Sequence, residues 1–300
     1  MLFFYHFFTS NIIIINTTLS PFIPKRKGQA IIETWHGGGA YKKVGTSVAR
    51  NKFDTYKGMI SGSNVDYYLS SSEKFTEVQS EAKCVSKDKF INIGMPRNDI
   101  LINTNINLGY KIRDKLNVSE KNSKIVLYAP TFRGKVSNGE FYKNELLNNI
   151  YEFNQFLSNV FGGCWYFFIR QHYYVNKRIR NNTIIDVSDY DDMQELLLAA
   201  DVLITDYSSC MWDFALTGKP GFLYMEDILQ YKEERDFYTP IESWPYPHAA
   251  SYTELKKLIS NYDENESLKR IKEHFKLLNS YETGTAAKQI SDLIKILSNR

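Results

Sequence analysis

A histidine stands at the end of an apolar run near the start of the chain and is followed at once by glycines. The run Ala30–Thr34 is typical of a buried strand, and a histidine just beyond such a strand can exchange a proton near neutral pH. Glycines let backbone amides approach a phosphate closely, and lysines add positive charge. The residues of this turn that could do chemistry are His36, Gly37, Gly38, Lys42 and Lys43. The pattern indicates either a proton-transferring, phosphate-binding turn or a histidine with a structural role.

An acidic residue and two serines follow another apolar run. Val202–Thr205 leads directly into Asp206, and Ser208 and Ser209 precede a predicted helix. Free amides at a helix N-terminus, with hydroxyl groups beside them, suit a phosphate oxygen, and the helix dipole adds a modest attraction. The same serines could cap the helix without any ligand. Both interpretations stay open from these residues alone.

Two further predicted strands are followed by arginines. Ile125–Ala129 leads to Thr131 and Arg133, and a strand ending at Ile169 leads to Arg170 and His172. An arginine binds phosphate through two parallel hydrogen bonds, and a nearby histidine can serve as an acid or as a cation. Each arginine alone could equally form a surface ion pair. Because parallel strands end at one edge of a sheet, we expect these groups to converge on one crevice.

Two other charged segments favour structural roles. Asp189–Asp192 contains two acids spaced so that they could bind a divalent cation, but they also precede an apolar helical run, where they would serve as a cap and first-turn acids. We favour the cap and predict no metal site. The basic run Lys25–Lys27 is too short to indicate nucleic acid and is read as a solvated turn.

Length and composition limit the class of protein. Three hundred residues are compatible with two domains, and the aromatic content of 15% excludes a mainly disordered chain. A net charge of +3 is too small to favour wholesale binding of nucleic acid, so we predict no such partner. The odd number of distant cysteines builds neither a disulfide framework nor a zinc site. We therefore expect a reduced protein on the cytosolic side.

The first sixteen residues are apolar enough to raise the question of a membrane segment. They lack a positively charged start, a cleavage site of small residues and the 18 or more uninterrupted apolar residues of a span. We expect a buried strand within Asn11–Asn16, and an N-terminus that contacts a membrane is the alternative.

Apolar runs alternate with helical patterns along the rest of the chain, which predicts parallel sheets covered by helices. The predicted strands are Ile12–Ile15, Ala30–Thr34, Val65–Leu69, Phe90–Ile93, Ile125–Ala129, Trp165–Arg170, Ile184–Val187, Val202–Thr205 and Gly221–Tyr224. The predicted helices include Ser72–Lys83, Tyr142–Phe161, Asp191–Ala200 and Ser209–Thr217, the last stopped by Gly218.

A polar stretch near residue 105 divides the chain into two predicted lobes, 1–105 and 106–300. The second lobe would include the helices that follow Pro247. One of these helices carries Lys269, Arg270, Lys272 and Lys276 on its outer face. That face is read as solvated, with contact to anionic lipid as the alternative.

Five ordered motifs resemble the CDP-glycerol:glycerophosphotransferases of teichoic acid and capsule synthesis. They are WHGGGAYKKVG from Trp35, GMPRND at Gly94–Asp99, YAPTFRG at Tyr128–Gly134, R-x-H at Arg170–His172 and DVLITDYSSCMWDFALTGKP at Asp201–Pro220. The chain departs from the family pattern at Gly38 and Gly39, where the family has threonine and proline. The resemblance extends from about Asn11 to the C-terminus.

The resemblance implies an α/β, GT-B-like fold of two Rossmann-like lobes with parallel sheets that face a cleft. The N-terminal lobe, on the acceptor side, is expected to be abbreviated, and the C-terminal lobe would bind the donor. It implies His36 and His172 as catalytic residues, with His36 the general base. The implied substrate-binding residues are Gly37, Gly38, Lys42, Lys43, Thr131, Arg133, Arg170, Asp206, Ser208 and Ser209, with no metal and no cofactor.

The implied reaction moves a polyol phosphate from CDP-glycerol or CDP-ribitol to a lipid-linked glycan or polyol-phosphate acceptor and releases CMP. A lipid-linked acceptor implies peripheral work at the cytoplasmic face of the plasma membrane, with weak adsorption through basic helices and exposed aromatic residues. Two alternatives remain, a GT-B glycosyltransferase that uses a nucleotide sugar and a truncated, non-catalytic binding module.

Overall fold

A computed structural model of the chain describes residues 2–103, 106–118, 120–131, 144–171, 184–234 and 236–299. These residues form two compact units. The first unit comprises the described parts of 1–102, 232–239 and 275–300, and the second comprises those of 103–231 and 240–274.

The described residues contain the following strands and helices. The strands are β1 Ile12–Ile15, β2 Ala30–Glu33, β3 Tyr67–Ser70, β4 Phe90–Asn92, β5 Ser123–Ala129, β6 Cys164–Ile169, β7 Ile184–Asp186, β8 Val202–Thr205, β9 Gly221–Tyr224 and β10 His248–Ala249. The helices are α1 Leu2–Thr9, α2 Lys52–Ser63, α3 Glu73–Lys83, α4 Asp99–Ile102, α5 Ile106–Lys115, α6 Glu145–Asn148, α7 Ile150–Phe161, α8 Met193–Ala199, α9 Cys210–Ala215, α10 Ile228–Glu234, α11 Tyr252–Ser260, α12 Glu264–Leu277 and α13 Ala286–Ser298.

The first unit is built on a parallel sheet in the order β1-β2-β3-β4. Its central strands are short apolar runs because both of their faces are covered. Helix α3 follows β3 directly, since Ser72 caps it: the Ser72 hydroxyl accepts a hydrogen bond from the Phe75 amide at 3.0 Å. The sheet therefore delivers the ends of β2 and β3 to the same edge.

The last helix of the chain packs on the first unit. Ile290 of α13 belongs to the same apolar cluster as Ile32 and Leu69. The Asp99 carboxylate accepts hydrogen bonds from the amides of Ala286 and Ala287 at 3.1 and 2.7 Å and so caps α13. The units thus differ from the two predicted sequence ranges, because residues 232–239 and 275–300 group with the first unit.

The second unit is built on a parallel sheet in the order β10-β9-β8-β5-β6-β7. Strand β5 lies between β8 and β6, and its register pairs Ala129 with Thr205 and Tyr128 with Ile169. Phe153 and Leu157 of α7 pack on this sheet in one buried cluster. The residues that follow β5, β6 and β8 therefore leave the sheet at one edge.

The structure confirms the predicted alternation of strands and helices, and it corrects the reading of the N-terminus. Residues Leu2–Thr9 form a helix that the sequence did not predict. Strand β1 follows it, as expected, but it lies at the edge of the sheet and is half-buried, with Ile14 exposed. An edge strand has a sheet neighbour on one side alone, which leaves part of it uncovered.

Among the described residues, none of the helices combines the length and the apolar character that a bilayer crossing requires. The described residues also contain no cluster of three or more histidine, cysteine or acidic side chains arranged to hold a metal ion. Asp192 instead caps α8, because its carboxylate accepts hydrogen bonds from the amides of Gln194 and Glu195 at 2.8 and 3.4 Å. The interpretation of this acidic segment as a helix cap is confirmed.

Candidate active site

His36 lies in the turn that leaves β2 in the first unit. Its Nδ1 is 3.0 Å from the carbonyl oxygen of Asn16. Because a carbonyl oxygen can only accept a hydrogen bond, Nδ1 must carry the proton in this contact. The neutral ring therefore leaves Nε2 unprotonated, and Nε2 is the atom of this side chain that can accept a proton.

His36 is an exposed residue, yet desolvation by the atoms packed around its ring lowers its pKa below the usual value of 6.5. The hydrogen bond to Asn16 raises the pKa, whereas the cations Lys83, Arg97 and Lys42 lower it further. The Trp35 ring covers one side of the imidazole, with 4.1 Å between ring centroids. The ring is therefore neutral at physiological pH, which is the state that a general base requires.

The glycine segment after His36 packs closely against its neighbours. Gly37 and Gly38 are buried, and the Gly38 carbonyl accepts a hydrogen bond from the buried Ser71 hydroxyl. At Gly39, an added Cβ would lie 2.1 Å from the Tyr41 ring, so the close approach of that ring requires glycine. The segment holds its shape through these contacts, and binding of phosphate by Gly37 and Gly38 stays a prediction.

The two lysines beyond the glycines both contact the segment 236–237 of the same unit. Lys43 Nζ lies 2.5 Å from a carboxylate oxygen of Asp236, and Lys42 forms an isolated antiparallel bridge with Phe237. The hydrogen bond from Lys43 lowers the pKa of Asp236. Asp236 is thus a partner that the sequence did not indicate, because it lies almost two hundred residues from Lys43.

Asp206 in the second unit binds Thr131 across the ends of β8 and β5. Its carboxylate oxygens lie 2.9 and 3.0 Å from the Thr131 amide, and Oδ1 accepts from the Thr131 hydroxyl at 2.6 Å. The Tyr207 amide also donates to Oδ1, at 2.5 Å. A buried carboxylate that accepts these bonds would repel a phosphate, so its geometry fits a residue that holds Thr131 in place.

Ser208 and Ser209 stand directly before the short helix α9. Ser208 Oγ accepts from the Cys210 amide at 3.4 Å, a long contact, and the Ser209 side chain makes no capping bond. Both residues are partly exposed. Helix capping therefore does not explain why a serine stands at position 209, and its hydroxyl could bind a ligand.

Arg170 leaves β6 at the same sheet edge and is half-buried. Its guanidinium donates to the Tyr190 carbonyl at 2.6 Å. Burial lowers the pKa of Arg170, and nearby Asp192 and Asp191 act in the opposite direction. The group stays charged, because an arginine is protonated at any physiological pH.

The structure sorts the predicted residues into two groups. His36, Gly37, Gly38, Lys42 and Lys43 lie in the first unit, and Thr131, Arg170, Asp206, Ser208 and Ser209 lie in the second. Arg133 and His172 fall outside the described residues.

Sequence reasoning missed three charged residues around the His36 turn. The Glu33 carboxylate accepts from the Trp35 amide at 3.0 Å, and Arg97 donates to the Trp35 carbonyl at 3.3 Å. Lys83 Nζ lies 3.8 Å from a ring centroid of the Trp35 indole. The sequence does contain one indication for Glu33. It lies two residues after the buried Ile31 on a strand, so the two side chains share a face and Glu33 is expected to be buried too.

These two units define a fold class, an α/β protein with two Rossmann-like units on parallel sheets, as in GT-B-like enzymes. The structure matches that of the wall teichoic acid polymerase TagF with a TM-score of 0.83 and 29% identity, over 96% of this chain and 73% of that chain. A TagF histidine variant soaked with CDPG matches with the same TM-score.

The chain belongs to the CDP-glycerol:poly(glycerophosphate) glycerophosphotransferase family, whose sequence model matches residues 2–295. It is 31% identical over 272 residues to a teichoic acid poly(glycerol phosphate) polymerase of Staphylococcus epidermidis. It is 29% identical over 283 residues to a teichoic acid ribitol-phosphate primase of Bacillus spizizenii. The resemblance inferred from the motifs is therefore confirmed at the level of the family.

The matches cover different shares of these relatives. The match includes 81% of this chain but 36% of the Staphylococcus epidermidis polymerase. For the Bacillus spizizenii primase the shares are 89% of this chain and 70% of the relative. The chain thus spans about a third of the first relative and about two thirds of the second.

Proposed function

We propose that this protein transfers a polyol phosphate from CDP-glycerol, or from CDP-ribitol, to a lipid-linked teichoic acid or capsule acceptor and releases CMP. The match of the family across residues 2–295 carries the proposal. The Nδ1 contact of His36 supports it, because this contact leaves Nε2 as a proton acceptor. The relatives include both glycerol-phosphate and ribitol-phosphate enzymes, so both donors are candidates.

His36 acts as the general base on the acceptor. Its Nε2 takes the proton of an acceptor hydroxyl as that oxygen attacks the β-phosphorus of the donor, which carries the glycerol. The new bond joins the acceptor oxygen to this phosphorus, and the bond from phosphorus to the bridging oxygen breaks. The electron pair of the broken bond leaves with CMP.

The second unit binds the donor pyrophosphate. Arg170, Ser208 and Ser209 contact its oxygens, and Arg133 and His172 contribute charge from outside the described residues. Asp206 positions Thr131 for the same ligand. Catalysis then depends on orientation and on stabilisation of negative charge, with no metal required.

CMP release from a panel of donors tests this proposal. The purified protein should release CMP from CDP-glycerol or CDP-ribitol in the presence of acceptor and should release no nucleotide from UDP- or GDP-sugars. His36→Ala should lower the rate by at least about 100-fold, as expected for loss of a general base. His248→Ala is the control, since His248 is exposed on the short strand β10. Equal rates for the two variants would contradict the role of His36.

We also propose that the protein works at the cytoplasmic face of the plasma membrane through peripheral contact. Helix α1 exposes several large apolar side chains, namely Leu2, Phe3, Phe4, Tyr5 and Phe8. Lys269, Lys272 and Lys276 are exposed on α12. Aromatic side chains favour the lipid interface, and each lysine near an anionic surface adds about 1 kcal/mol.

Sedimentation with anionic vesicles tests the membrane contact. Replacing Phe3 and Phe4 by serine should reduce the bound fraction, whereas Tyr151→Ser, also at an exposed aromatic residue, should not. Raising salt from 50 to 500 mM should weaken the lysine contribution. Binding that salt leaves unchanged would contradict the electrostatic part, and equal binding of all variants would contradict the role of α1.

A further inference from the structure

The backbone of Trp35 has an unusual conformation. Its φ is +52°, in the left-handed region that bulky residues rarely occupy. Such a conformation costs roughly 1–2 kcal/mol per residue. Neighbouring groups must therefore hold Trp35 in place, and the position of His36 depends on them because the two residues are adjacent.

Glu33 and Arg97 fix the two peptide groups of Trp35. The Glu33 carboxylate accepts from the Trp35 amide at 3.0 Å, and Arg97 donates to the Trp35 carbonyl at 3.3 Å. The Arg97 guanidinium is charged, and a bond from a charged donor is stronger than one between neutral groups. The two bonds constrain the backbone immediately before the imidazole.

Lys83 holds the side chain of Trp35. Its Nζ lies 3.8 Å from the indole ring centroid, within the range of a cation–π interaction, and 2.9 Å from the Thr18 hydroxyl. The indole also contacts the imidazole, since the ring centroids of Trp35 and His36 lie 4.1 Å apart. A shift of the indole would therefore displace the His36 ring.

Glu33 and Lys83 occupy these positions at an energetic cost. Glu33 is 2% exposed, and both residues line a partly open pocket of about 100 Å3 in the first unit. Burial raises the pKa of Glu33 to about 7 and lowers the pKa of Lys83 to about 8. Charged groups are rarely buried unless they serve a specific arrangement, and the arrangement they serve here is that of Trp35.

We propose that Glu33 and Lys83 are positioning residues, which hold the Trp35 backbone and ring so that His36 Nδ1 meets the Asn16 carbonyl and Nε2 is left as the proton acceptor. This inference rests on the proposed role of His36 as the general base. Neither residue needs to touch substrate, because both act through Trp35.

Substitutions at position 33 separate positioning from charge. Glu33→Gln keeps an oxygen that can accept from the Trp35 amide, whereas Glu33→Met has a similar length and no strong acceptor. Glu33→Met should lower kcat by about 10- to 100-fold, because small misplacement of a catalytic group has effects of this size, and KM for CDP-glycerol should change less than twofold. Glu33→Gln should keep kcat within about threefold of the original, a rescue that a role of charge alone would not produce.

Lys83→Met provides a second test that does not depend on the folding of a position 33 variant. It removes the cation from the indole face and should lower kcat about tenfold. The controls are Glu77→Gln and Lys74→Met, which disrupt a solvent-exposed ion pair on the same helix as Lys83. Both controls should keep kcat unchanged.

The tautomer of His36 gives a readout that does not require transferase activity. Long-range 1H–15N correlation spectra of the full chain should show the Nδ1–H tautomer in the original protein and in Glu33→Gln. Glu33→Met and Lys83→Met should show a mixture of tautomers. If the original protein released no CMP, the proposed function would fail while these spectra would still decide the positioning role. An unchanged tautomer in Glu33→Met and Lys83→Met, or equal losses of kcat in Glu33→Gln and Glu33→Met, would overturn the inference.

Discussion

Replacing Glu33 by glutamine should stabilise the first unit more at high pH than at low pH. Burial raises the pKa of Glu33 from 4.5 to about 7 in the folded protein. The folded state therefore holds this proton more tightly than the unfolded state does. The original protein loses stability as pH rises from 4.5 through 7, and the glutamine variant, which has no proton to lose, avoids that loss.

The size of the effect follows from the pKa. At 1.36 kcal/mol per pKa unit, the shift from 4.5 to about 7 corresponds to about 3 kcal/mol in the free energy of unfolding. The advantage of Glu33→Gln over the original protein should therefore grow by about 3 kcal/mol between pH 4 and pH 8. Loss of the Glu33 charge also lowers the pKa of Lys83, which adds to the gain in the variant as pH rises, and the remaining titrating groups are common to both proteins.

Trp35 reports on the unfolding of the first unit. Of the four tryptophans, Trp35 lies in this unit, whereas Trp165, Trp212 and Trp244 lie in the second. With fluorotryptophan incorporated, the 19F resonance of Trp35, assigned through Trp35→Phe, can be followed in urea at each pH. Glu77→Gln is the control and should show no pH-dependent gain, since Glu77 is exposed. A stability difference between Glu33→Gln and the original protein that does not change with pH would refute the reasoning.

Three further predictions concern acidic residues that accept backbone hydrogen bonds. Asp206→Ala should destabilise the second unit by about 2–4 kcal/mol in urea unfolding, because Thr131 and Tyr207 lose a charged acceptor, and Asp206→Asn should cost less. Asp99→Ala should speed amide hydrogen exchange in the first turn of α13 and cost about 1 kcal/mol, and an unchanged exchange rate would contradict its role as a cap. Asp192→Ala should likewise lower the free energy of unfolding by about 1 kcal/mol, because Asp192 caps α8. A metal chelator should leave CMP release unchanged, and a loss of activity on chelation would contradict a reaction that needs no metal.

The central strands of the second unit could be predicted from the sequence because they are buried on both faces. Val202–Thr205 and Gly221–Tyr224 have the predicted bounds, since a central parallel strand is a continuous apolar run. Helix α1 could not be predicted in the same way. Its aromatic residues are not strong helix formers, and a run of them is equally compatible with a strand.

The place of the last helix could not be predicted from its own residues. Its apolar stripe, which includes Ile290 and Leu293, shows that one face is buried but not which unit covers it. The partner is set by contacts across almost two hundred residues, such as the cap from Asp99. The periodicity of a helix does not reveal such contacts, so the sequence alone places this helix in the second lobe.

The candidate site was predictable where a residue follows a strand and not where it acts through a neighbour. His36 and Asp206 were found because each stands at the end of a buried run. The use of Asp206 as an acceptor for Thr131, and of Glu33 as an acceptor for Trp35, depends on side-chain geometry. A motif singles out a residue for a possible role but does not show whether that residue touches a ligand or holds a neighbour in place.

The most direct test of the central claim is 31P NMR of CDP-glycerol incubated with the protein and a short-chain analogue of a lipid-linked glycerol phosphate. We expect the pyrophosphate signals of CDP-glycerol to decline while CMP and a new phosphodiester appear in equal amounts, and we expect His36→Ala to abolish both products. Persistence of the pyrophosphate signals, or appearance of CMP with glycerol phosphate in place of the phosphodiester, would contradict the central claim.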